Sequence, residues 1–176
     1  MDGMYFLKTK RLEFSKWTPS DLALARRLWG NEQVTRWICA GGRFDEDEIA
    51  ARLALEIEND KEYGVQYWPL FECASGEFVG CYGLRPHGTK AGEYELGFHL
   101  LPAFWGRGYA VEAAQAVIAY AFLTLNADSL FAGHRPENKK SARALTKLGF
   151  TYVGDEFYAP SGLYHPSYAR QRADRI

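Results

Sequence analysis

The hydrophobic positions of the chain follow two different periods, which predict helices and strands in separate stretches. Apolar residues recur every three to four positions at residues 45–62, 108–125 and 138–148, which predicts three amphipathic helices. A further helix is expected to begin at Thr18, because Thr18 can cap it and Pro19 suits its first turn. Short apolar or alternating stretches predict strands at residues 11–17, 65–73, 78–84, 93–100, 129–134, 150–158 and 163–169. This order of elements predicts an α+β domain built around one central sheet.

The strand predicted at residues 93–100 alternates strictly between apolar and polar side chains. Its apolar face carries Tyr94, Leu96, Phe98 and Leu100, and its polar face carries Glu93, Glu95, Gly97 and His99. Because glycine weakens a strand, Gly97 is expected to mark a bulge or a close backbone approach. Glu95 on the polar face has two interpretations: a catalytic carboxylate, or the structural partner of an arginine or a backbone N–H.

Composition and charge narrow the class of protein. The 176 residues fit one domain over residues 1–176, and 47% of them are hydrophobic, as in ordinary globular proteins. The 21 Lys and Arg residues nearly balance the 22 Asp and Glu residues, so nucleic acid is not an expected partner. The N-terminus lacks the apolar segment of a signal peptide, and no apolar run is long enough to span a membrane. We therefore expect a cytoplasmic protein that does not bind membranes.

The cysteines and histidines form no recognisable disulfide or metal pattern. The three cysteines are an odd number at irregular spacing, which favours free, small buried residues in a reducing compartment. The histidines have no ligand spacing with Cys, Asp or Glu, so no metal site is expected.

One glycine-rich segment carries a chemical signal. After the strand at residues 93–100, a short turn leads into Gly106-Arg107-Gly108, which opens the helix predicted at residues 108–125. Free N–H groups at a helix N-terminus bind anions, the two glycines let a phosphate approach the backbone, and Arg107 adds a cation. The segment is not a P-loop, because no Gly-Lys-Ser/Thr follows, and it lacks the third glycine of a dinucleotide-binding fingerprint. By itself it fits either a phosphate site or a plain turn.

Four blocks of sequence resemble the GNAT N-acetyltransferases, and in particular the RimJ/RimL branch, which acetylates the N-terminal amines of ribosomal proteins. In the family's order and spacing, the blocks are Glu95-Leu96-Gly97-Phe98, residues 104–113, Asn138-Lys139-Lys140-Ser141 and Lys147-Leu148-Gly149-Phe150. The second block is similar to the loop that binds the pyrophosphate of acyl-CoA in that family. Two positions depart from the wider family: Trp105 replaces a common Gln or Arg, and Leu145 replaces a common tyrosine.

The resemblance implies a GNAT fold, with a mixed sheet of about seven strands splayed at its middle and flanked by about four helices. It implies acetyl-CoA as co-substrate, no metal, and a monomer or homodimer. The implied reaction is direct attack of a primary amine, from a small molecule or a protein N-terminus, on the thioester through a tetrahedral intermediate. Transfer of another acyl group, and a module that binds acyl-CoA without catalysis, are the alternatives.

The resemblance also implies which residues hold acetyl-CoA. Pantetheine is expected to pair with the backbone of Phe98, His99 and Leu100, where a backbone N–H would polarise the thioester carbonyl. Asn138 and Ser141 are expected to face it from the next helix, since they lie one turn apart. The pyrophosphate is expected on the backbone of the glycine-rich loop, formed by Trp105, Gly106, Arg107, Gly108, Tyr109 and Ala110.

Two residues are the expected catalytic groups. Glu95 would accept a proton from the substrate amine, directly or through water. Ser141 would protonate the departing thiolate, because Leu145 occupies the position of the family's tyrosine.

Other charged residues have structural or functional interpretations. Residues 44–62 contain eight acids and two bases, and form either a capped, solvated helix face or a rim that attracts a cationic amine. Lys139, Lys140 and Arg143 either meet the 3′-phosphate of CoA or form solvated surface. Glu112, in the first turn of a helix, is expected to be structural.

Overall fold

An eight-stranded mixed sheet organises the chain. The computed structural model describes residues 4–172. The strands are β1 (Leu7–Lys8), β2 (Leu12–Phe14), β3 (Tyr67–Glu72), β4 (Phe78–Pro86), β5 (Glu93–Leu100), β6 (Ser129–Gly133), β7 (Thr151–Tyr158) and β8 (Leu163–Gln171). They lie in the order β1-β2-β3-β4-β5-β6-β8-β7. Every neighbouring pair is antiparallel except β5 and β6, which are parallel.

The parallel pair separates soon after it starts. Within the described residues, β5 pairs with β6 only from Glu93 to Glu95. Beyond Glu95, β5 continues to Leu100 along β4. A gap therefore opens between β5 and β6, which confirms the predicted mixed sheet that is splayed at its middle.

Helices cover both faces of the sheet. They are α1 (Leu22–Trp29), α2 (Glu32–Thr35), α3 (Glu46–Tyr63), α4 (Tyr109–Leu123) and α5 (Lys139–Lys147). Adjacent residues of β3 show which helix lies on which face. Arg52 of α3 lies over the Tyr67 ring, 5.6 Å from its centroid, whereas Trp68 contacts Tyr120 of α4 with ring centroids 5.6 Å apart. Because successive strand residues point to opposite faces, α3 and α4 lie on opposite sides of the sheet.

Local sequence explains the limits of α3. The Asp45 carboxylate accepts a hydrogen bond from the Glu48 N–H at 2.8 Å, and the Glu48 carboxylate accepts one from the Asp45 N–H at 2.7 Å. This capping box, together with the favourable end of the helix dipole, explains the acidic residues at the start of the helix. Gly64 ends α3 in the left-handed conformation, with φ of 71°.

Three local features differ from the sequence-based prediction. β1 was not predicted, because a two-residue strand has no period and is defined only by its pairing with β2. α2 was not predicted either, since it is a single turn whose start is capped by the Asn31 side chain, which accepts from the Gln33 N–H at 2.9 Å. The helical segment does start after Thr18, as predicted, but its first turn is a 3₁₀ turn (Pro19–Asp21) and α1 follows from Leu22. The Asp21 carboxylate accepts from the Thr18 N–H and hydroxyl at 2.7 and 3.0 Å.

The cysteines are free, and they do not share one environment. Cys81 is buried, Cys39 is half-buried and Cys73 is exposed. The expectation of three small buried residues is therefore correct for Cys81 and wrong for Cys73. Within residues 4–172, no helix combines the length and the apolar character needed to cross a membrane.

Candidate active site

The gap between β5 and β6 leaves alternate peptide groups of β5 facing an open space. The Leu101 N–H donates to the Val79 carbonyl at 2.9 Å. This bond fixes the register, so odd-numbered residues of β5 direct their backbone groups toward β4 and even-numbered residues direct theirs toward the gap. A ligand in the gap would therefore meet the backbone of Phe98 and Leu100, whereas the His99 backbone faces β4.

A continuous cavity of about 800 Å³ joins this gap to the face that carries α1, α2 and α3. It touches nine of the twelve predicted site residues, namely Glu95, Phe98, His99, Leu100, Trp105, Gly106, Ala110, Asn138 and Ser141. The other three, Arg107, Gly108 and Tyr109, do not line it. At the end of the gap, the Trp105 indole N–H donates to the Leu100 carbonyl at 2.8 Å.

The glycine-rich loop presents a run of free amides. Gly106 and Gly108 have φ of 75° and 78°, a left-handed conformation that favours glycine. The first bond at the start of α4 runs from the Glu112 N–H to the Gly108 carbonyl at 3.1 Å. None of the N–H groups of residues 106–111 donates to another described residue. These amides, at the positive end of the α4 dipole, suit a phosphate group.

The charged side chains around this loop form ion pairs with neighbouring elements. Arg107 lies 3.6 Å from the Glu72 carboxylate, and half of its side chain is exposed. Glu112 accepts hydrogen bonds from Thr9 Oγ1 at 2.6 Å and from Arg11 Nε at 2.6 Å, which ties α4 to the β1–β2 turn. Burial alone would raise the pKa of Glu112, but the bonds from Thr9 and Arg11 hold it below its ordinary value. Glu112 is therefore structural, as expected.

The start of α5 forms the opposite wall of the gap. The Asn138 side-chain oxygen accepts a hydrogen bond from the Ser141 N–H at 3.2 Å, so Asn138 caps the helix. Its NH₂ group is then the part that can serve a ligand. Asn138, Ser141 and Leu145 all line the cavity, as do Lys139 and Lys140, whereas Arg143 does not.

Glu95 lies in the cavity without a bonded partner. Within the described residues its carboxylate makes no hydrogen bond and no ion pair within 4 Å, although Arg85 stands opposite it in the β4–β5 pair. Burial raises the pKa of Glu95 above its ordinary value, while Arg85 and His87 oppose the shift. A carboxylate with a raised pKa is a stronger base at neutral pH than an ordinary one.

His99 is a half-buried residue that lines the cavity. The Trp29 indole N–H donates to His99 Nδ1 at 3.1 Å, so the ring proton resides on Nε2. Burial, with the charges of Arg52 and Arg85, holds the pKa of His99 well below its ordinary value.

A buried ionic cluster lies beside Glu95. The Glu56 carboxylate is fully buried and accepts from Arg52 Nε at 3.0 Å, from Arg85 Nη2 at 2.6 Å and from the Tyr67 N–H at 2.7 Å. Among the residues of α3, only Arg52 lines the cavity. The acidic residues at the start of α3 lie outside the cavity, which favours their interpretation as a capped, solvated helix face.

Comparison with known proteins decides the family. A model described as an acetyltransferase (GNAT) domain matches residues 11–151. The chain belongs to the GNAT acetyltransferase family. This GNAT protein is 29% identical over 153 residues to an uncharacterised N-acetyltransferase, p20, of Bacillus licheniformis, covering 86% of this chain and 85% of p20. It is 30% identical over 155 residues to the FsC-acetyl coenzyme A-N(2)-transacetylase of Aspergillus fumigatus, covering 84% of this chain and 65% of that protein.

Other similarities are partial in sequence or concern the fold. The [ribosomal protein uS5]-alanine N-acetyltransferase of Escherichia coli is 29% identical over 107 residues, or 59% of this chain and 54% of that protein. A solved acetyltransferase from Agrobacterium tumefaciens has a TM-score of 0.77 at 27% identity, covering 97% of this chain and 99% of that one. The RimJ of Mycobacterium smegmatis, solved with CoA-disulfide, has a TM-score of 0.78 at 17% identity, covering 93% of this chain and 83% of that one.

GNAT acetyltransferases use acetyl-CoA, and this GNAT protein has the features to hold it. The free amides of residues 106–111 suit the pyrophosphate, and the open edge of β5 suits the amides of pantetheine. No cluster of three or more potential metal-ligating side chains occurs within the described residues.

The ionic cluster of this GNAT protein was missed at the level of sequence, although a signal was present. Arg52 and Glu56 share one helix face with the apolar residues Ile49 and Leu53, since these positions are three, four and seven residues apart. Two charged residues within an apolar stripe indicate a buried ion pair. The second arginine, Arg85, joins the cluster through the pairing of β3 with β4, which the spacing of α3 cannot reveal.

Proposed function

We propose that this GNAT protein transfers the acetyl group of acetyl-CoA to a primary amine. The observation that carries the proposal is the continuous cavity, which joins the free amides of the glycine-rich loop to the Glu95 carboxylate. A site that only held acyl-CoA would not need the cavity to extend to a carboxylate that can receive an amine. The sequence blocks and the similarity to the uS5-alanine acetyltransferase support a place near the RimJ/RimL branch.

In this proposal, the backbone positions the thioester. Acetyl-CoA supplies the activated acetyl group. The loop amides of residues 106–111 bind its pyrophosphate, and β5 holds its pantetheine through Phe98 and Leu100. The Phe98 N–H, which faces the gap, polarises the thioester carbonyl and stabilises the negative charge that develops on its oxygen.

Two side chains transfer protons in the proposed reaction, one from the amine and one to the thiolate. An alkylammonium is not nucleophilic, so Glu95 attracts the cation and takes its proton, directly or through water. The amine nitrogen then bonds to the thioester carbonyl carbon to give a tetrahedral intermediate, which collapses as the C–S bond breaks and the nitrogen loses its second proton. Ser141 donates a proton to the departing thiolate, because Leu145 at this wall of the cavity cannot do so. The products are an N-acetylated amine and the free thiol of CoA.

A turnover assay tests the proposal. The purified protein is mixed with acetyl-CoA and a panel of primary amines that includes peptide N-termini, amino acids and polyamines, and free CoA thiol is measured. We expect release that depends on both the protein and an amine. Tight CoA binding with no turnover of any amine would instead indicate a module that only binds acyl-CoA. Faster turnover with a longer acyl-CoA than with acetyl-CoA would show that the transferred group is not acetyl.

A further inference from the structure

Charged side chains of both signs line the cavity around Glu95, namely Arg52, Arg85 and Glu156. Arg52 of α3 and Arg85 of β4 bind the buried Glu56, and Glu95 stands opposite Arg85 in the β4–β5 pair. The cavity wall therefore presents charges of both signs, which suits a ligand that itself carries both signs of charge.

Both guanidinium groups retain a donor without an acceptor. The Arg52 side chain is only 10% exposed, and its Nη2 is buried and makes no hydrogen bond to any described residue. The Nε of Arg85 is also buried and makes no hydrogen bond to any described residue. Both side chains line the cavity. Buried donors in folded proteins are nearly always paired, so these two call for an acceptor that enters the cavity.

Aromatic rings and Glu56 hold the two guanidinium groups in place. The Arg52 guanidinium lies 5.2 Å from the Trp29 ring centroid, and that of Arg85 lies 4.4 Å from the Tyr67 ring centroid. A guanidinium fixed in this way matches the planar geometry of a carboxylate. Because both unpaired donor atoms are buried, an entering anionic group would reach them through a small shift of the two side chains.

We propose that the acceptor is a small primary amine that also carries a carboxylate, as a free amino acid does. Its carboxylate binds Arg52 and Arg85, and its ammonium faces Glu95. Opposing residues in such a strand pair have Cα atoms about 5.5 Å apart, a separation that one amino acid can bridge. The proposal rests on the acetyl transfer proposed above. A peptide N-terminus lacks this carboxylate, because its first carboxyl group is a neutral amide.

Matched substrates test the proposal in the wild-type protein. Each common L-amino acid is compared with its α-carboxamide and with its decarboxylated amine, by acetyl-CoA-dependent thiol release. We expect free amino acids to exceed their carboxamides in kcat/KM by about tenfold or more for the preferred side chain, because the carboxamide leaves the arginines unpaired. Equal rates for acid and carboxamide, or a preference for peptide N-termini, would overturn this inference while supporting the acetyl transfer.

Variants of Arg52 test its role in binding the carboxylate. Arg52→Met removes the charge and keeps the apolar stem, so KM for the amino acid should rise about tenfold while KM for its carboxamide stays near the wild-type value. Arg52→Lys should show a smaller loss. Arg26→Met is the matched control, since Arg26 is an exposed arginine paired with Glu46 and does not line the cavity. Equal losses for acid and carboxamide would make Arg52 a structural residue.

If no amine is acetylated in these assays, the proposed acetyl transfer is contradicted. The carboxylate site can then still be tested by measuring binding. Titration calorimetry of the CoA-loaded protein compares the amino acids with their carboxamides. Binding of an amino acid that Arg52→Met abolishes would support the carboxylate site independently of catalysis. Failure of every amino acid to bind would overturn it.

Discussion

Glu93 and Glu95 share one face of β5, yet only Glu95 lines the cavity. Glu95→Gln keeps the shape of the side chain and removes the base. We expect kcat/KM to fall by about tenfold or more, within the range of general-base catalysis, with little change in acetyl-CoA affinity. The wild-type rate should increase with pH as Glu95 ionises. Burial places the pKa of Glu95 above the ordinary carboxyl value, so the increase should occur at a higher pH than for an exposed carboxyl group. The rate of the variant should not show this increase with pH.

Glu93→Gln is the control for that experiment. Glu93 lies 3.3 Å from Lys90 at the surface and does not contact the cavity, so its loss should leave the pH–rate profile unchanged. An unaltered profile in Glu95→Gln, with full activity, would show that bulk water or another group removes the amine proton.

Ser141 is needed in the proposed reaction only when the C–S bond breaks. Ser141→Ala should therefore lower kcat by about tenfold or more and leave KM for acetyl-CoA nearly unchanged. Thr146→Ala on the same helix is a suitable control, because Thr146 is exposed and bonds the Ala142 carbonyl at 3.0 Å. A change in KM only would reduce Ser141 to a binding residue.

The start of α4 offers a clean test at the level of one element. Gly106 and Gly76 both have positive φ, 75° and 72°, and a Cβ added at either would meet nothing within 4 Å. Alanine at each position should therefore cost a similar backbone strain of about 1–2 kcal/mol. Only Gly106→Ala places a methyl group among the free amides of residues 106–111, so only it should weaken CoA binding, by about tenfold or more.

Calorimetry with CoA and thermal unfolding of both variants measure the two effects separately. Equal CoA affinity in Gly106→Ala and Gly76→Ala would place the pyrophosphate elsewhere.

At the scale of elements, the sequence was most informative where a period runs for several turns or residues. α3, α4 and α5 were predicted to within a few residues, and β5 was predicted from Glu93 to Leu100. Elements that depend on partners were missed: β1 exists through its pairing with β2, and α2 through one side-chain cap. Gly97 was expected to mark a close approach, and a Cβ there would lie 2.1 Å from the Tyr67 hydroxyl.

The candidate site was predictable only in part, for the same physical reason. The loop amides follow from local sequence, because a glycine-rich turn before a helix always leaves free N–H groups. The backbone direction of Phe98, Leu100 and His99 required the register of β5 against β4, which the sequence does not contain. The Arg52–Glu56–Arg85 cluster required the packing of α3 on the sheet.

At the scale of the whole molecule, His99 couples the site to the stability of the fold. Its ring contacts Trp29 of α1, Tyr67 of β3 and Cys81 of β4. The pKa of His99 is held below its ordinary value by burial, so below about pH 6.5 the unfolded chain binds a proton that the folded protein resists. Stability should therefore decrease as pH falls from 7 to 5, with a slope of up to about 1.4 kcal/mol per pH unit from this group.

Denaturant unfolding at several pH values measures that slope. His99→Asn keeps an acceptor for the Trp29 indole and removes the titrating group, so its stability should vary less with pH than that of the wild type. An unchanged slope in the variant would assign the acid sensitivity to other groups, such as His165, whose pKa is also lowered by burial.

The cavity has two ends, and a partly exposed tryptophan lines each of them. Trp17, Trp29 and Trp68 are buried, whereas Trp105 at the gap is 45% exposed and Trp37 at the opposite end is 38% exposed. Quenching of indole emission by acrylamide should therefore report these two residues separately from the buried three. Added CoA should protect Trp105 and a bound acceptor should protect Trp37, and Trp105→Phe and Trp37→Phe should each abolish one of the two responses. The order in which the signals change would then give the order in which the substrates bind, without any chemical label on either one.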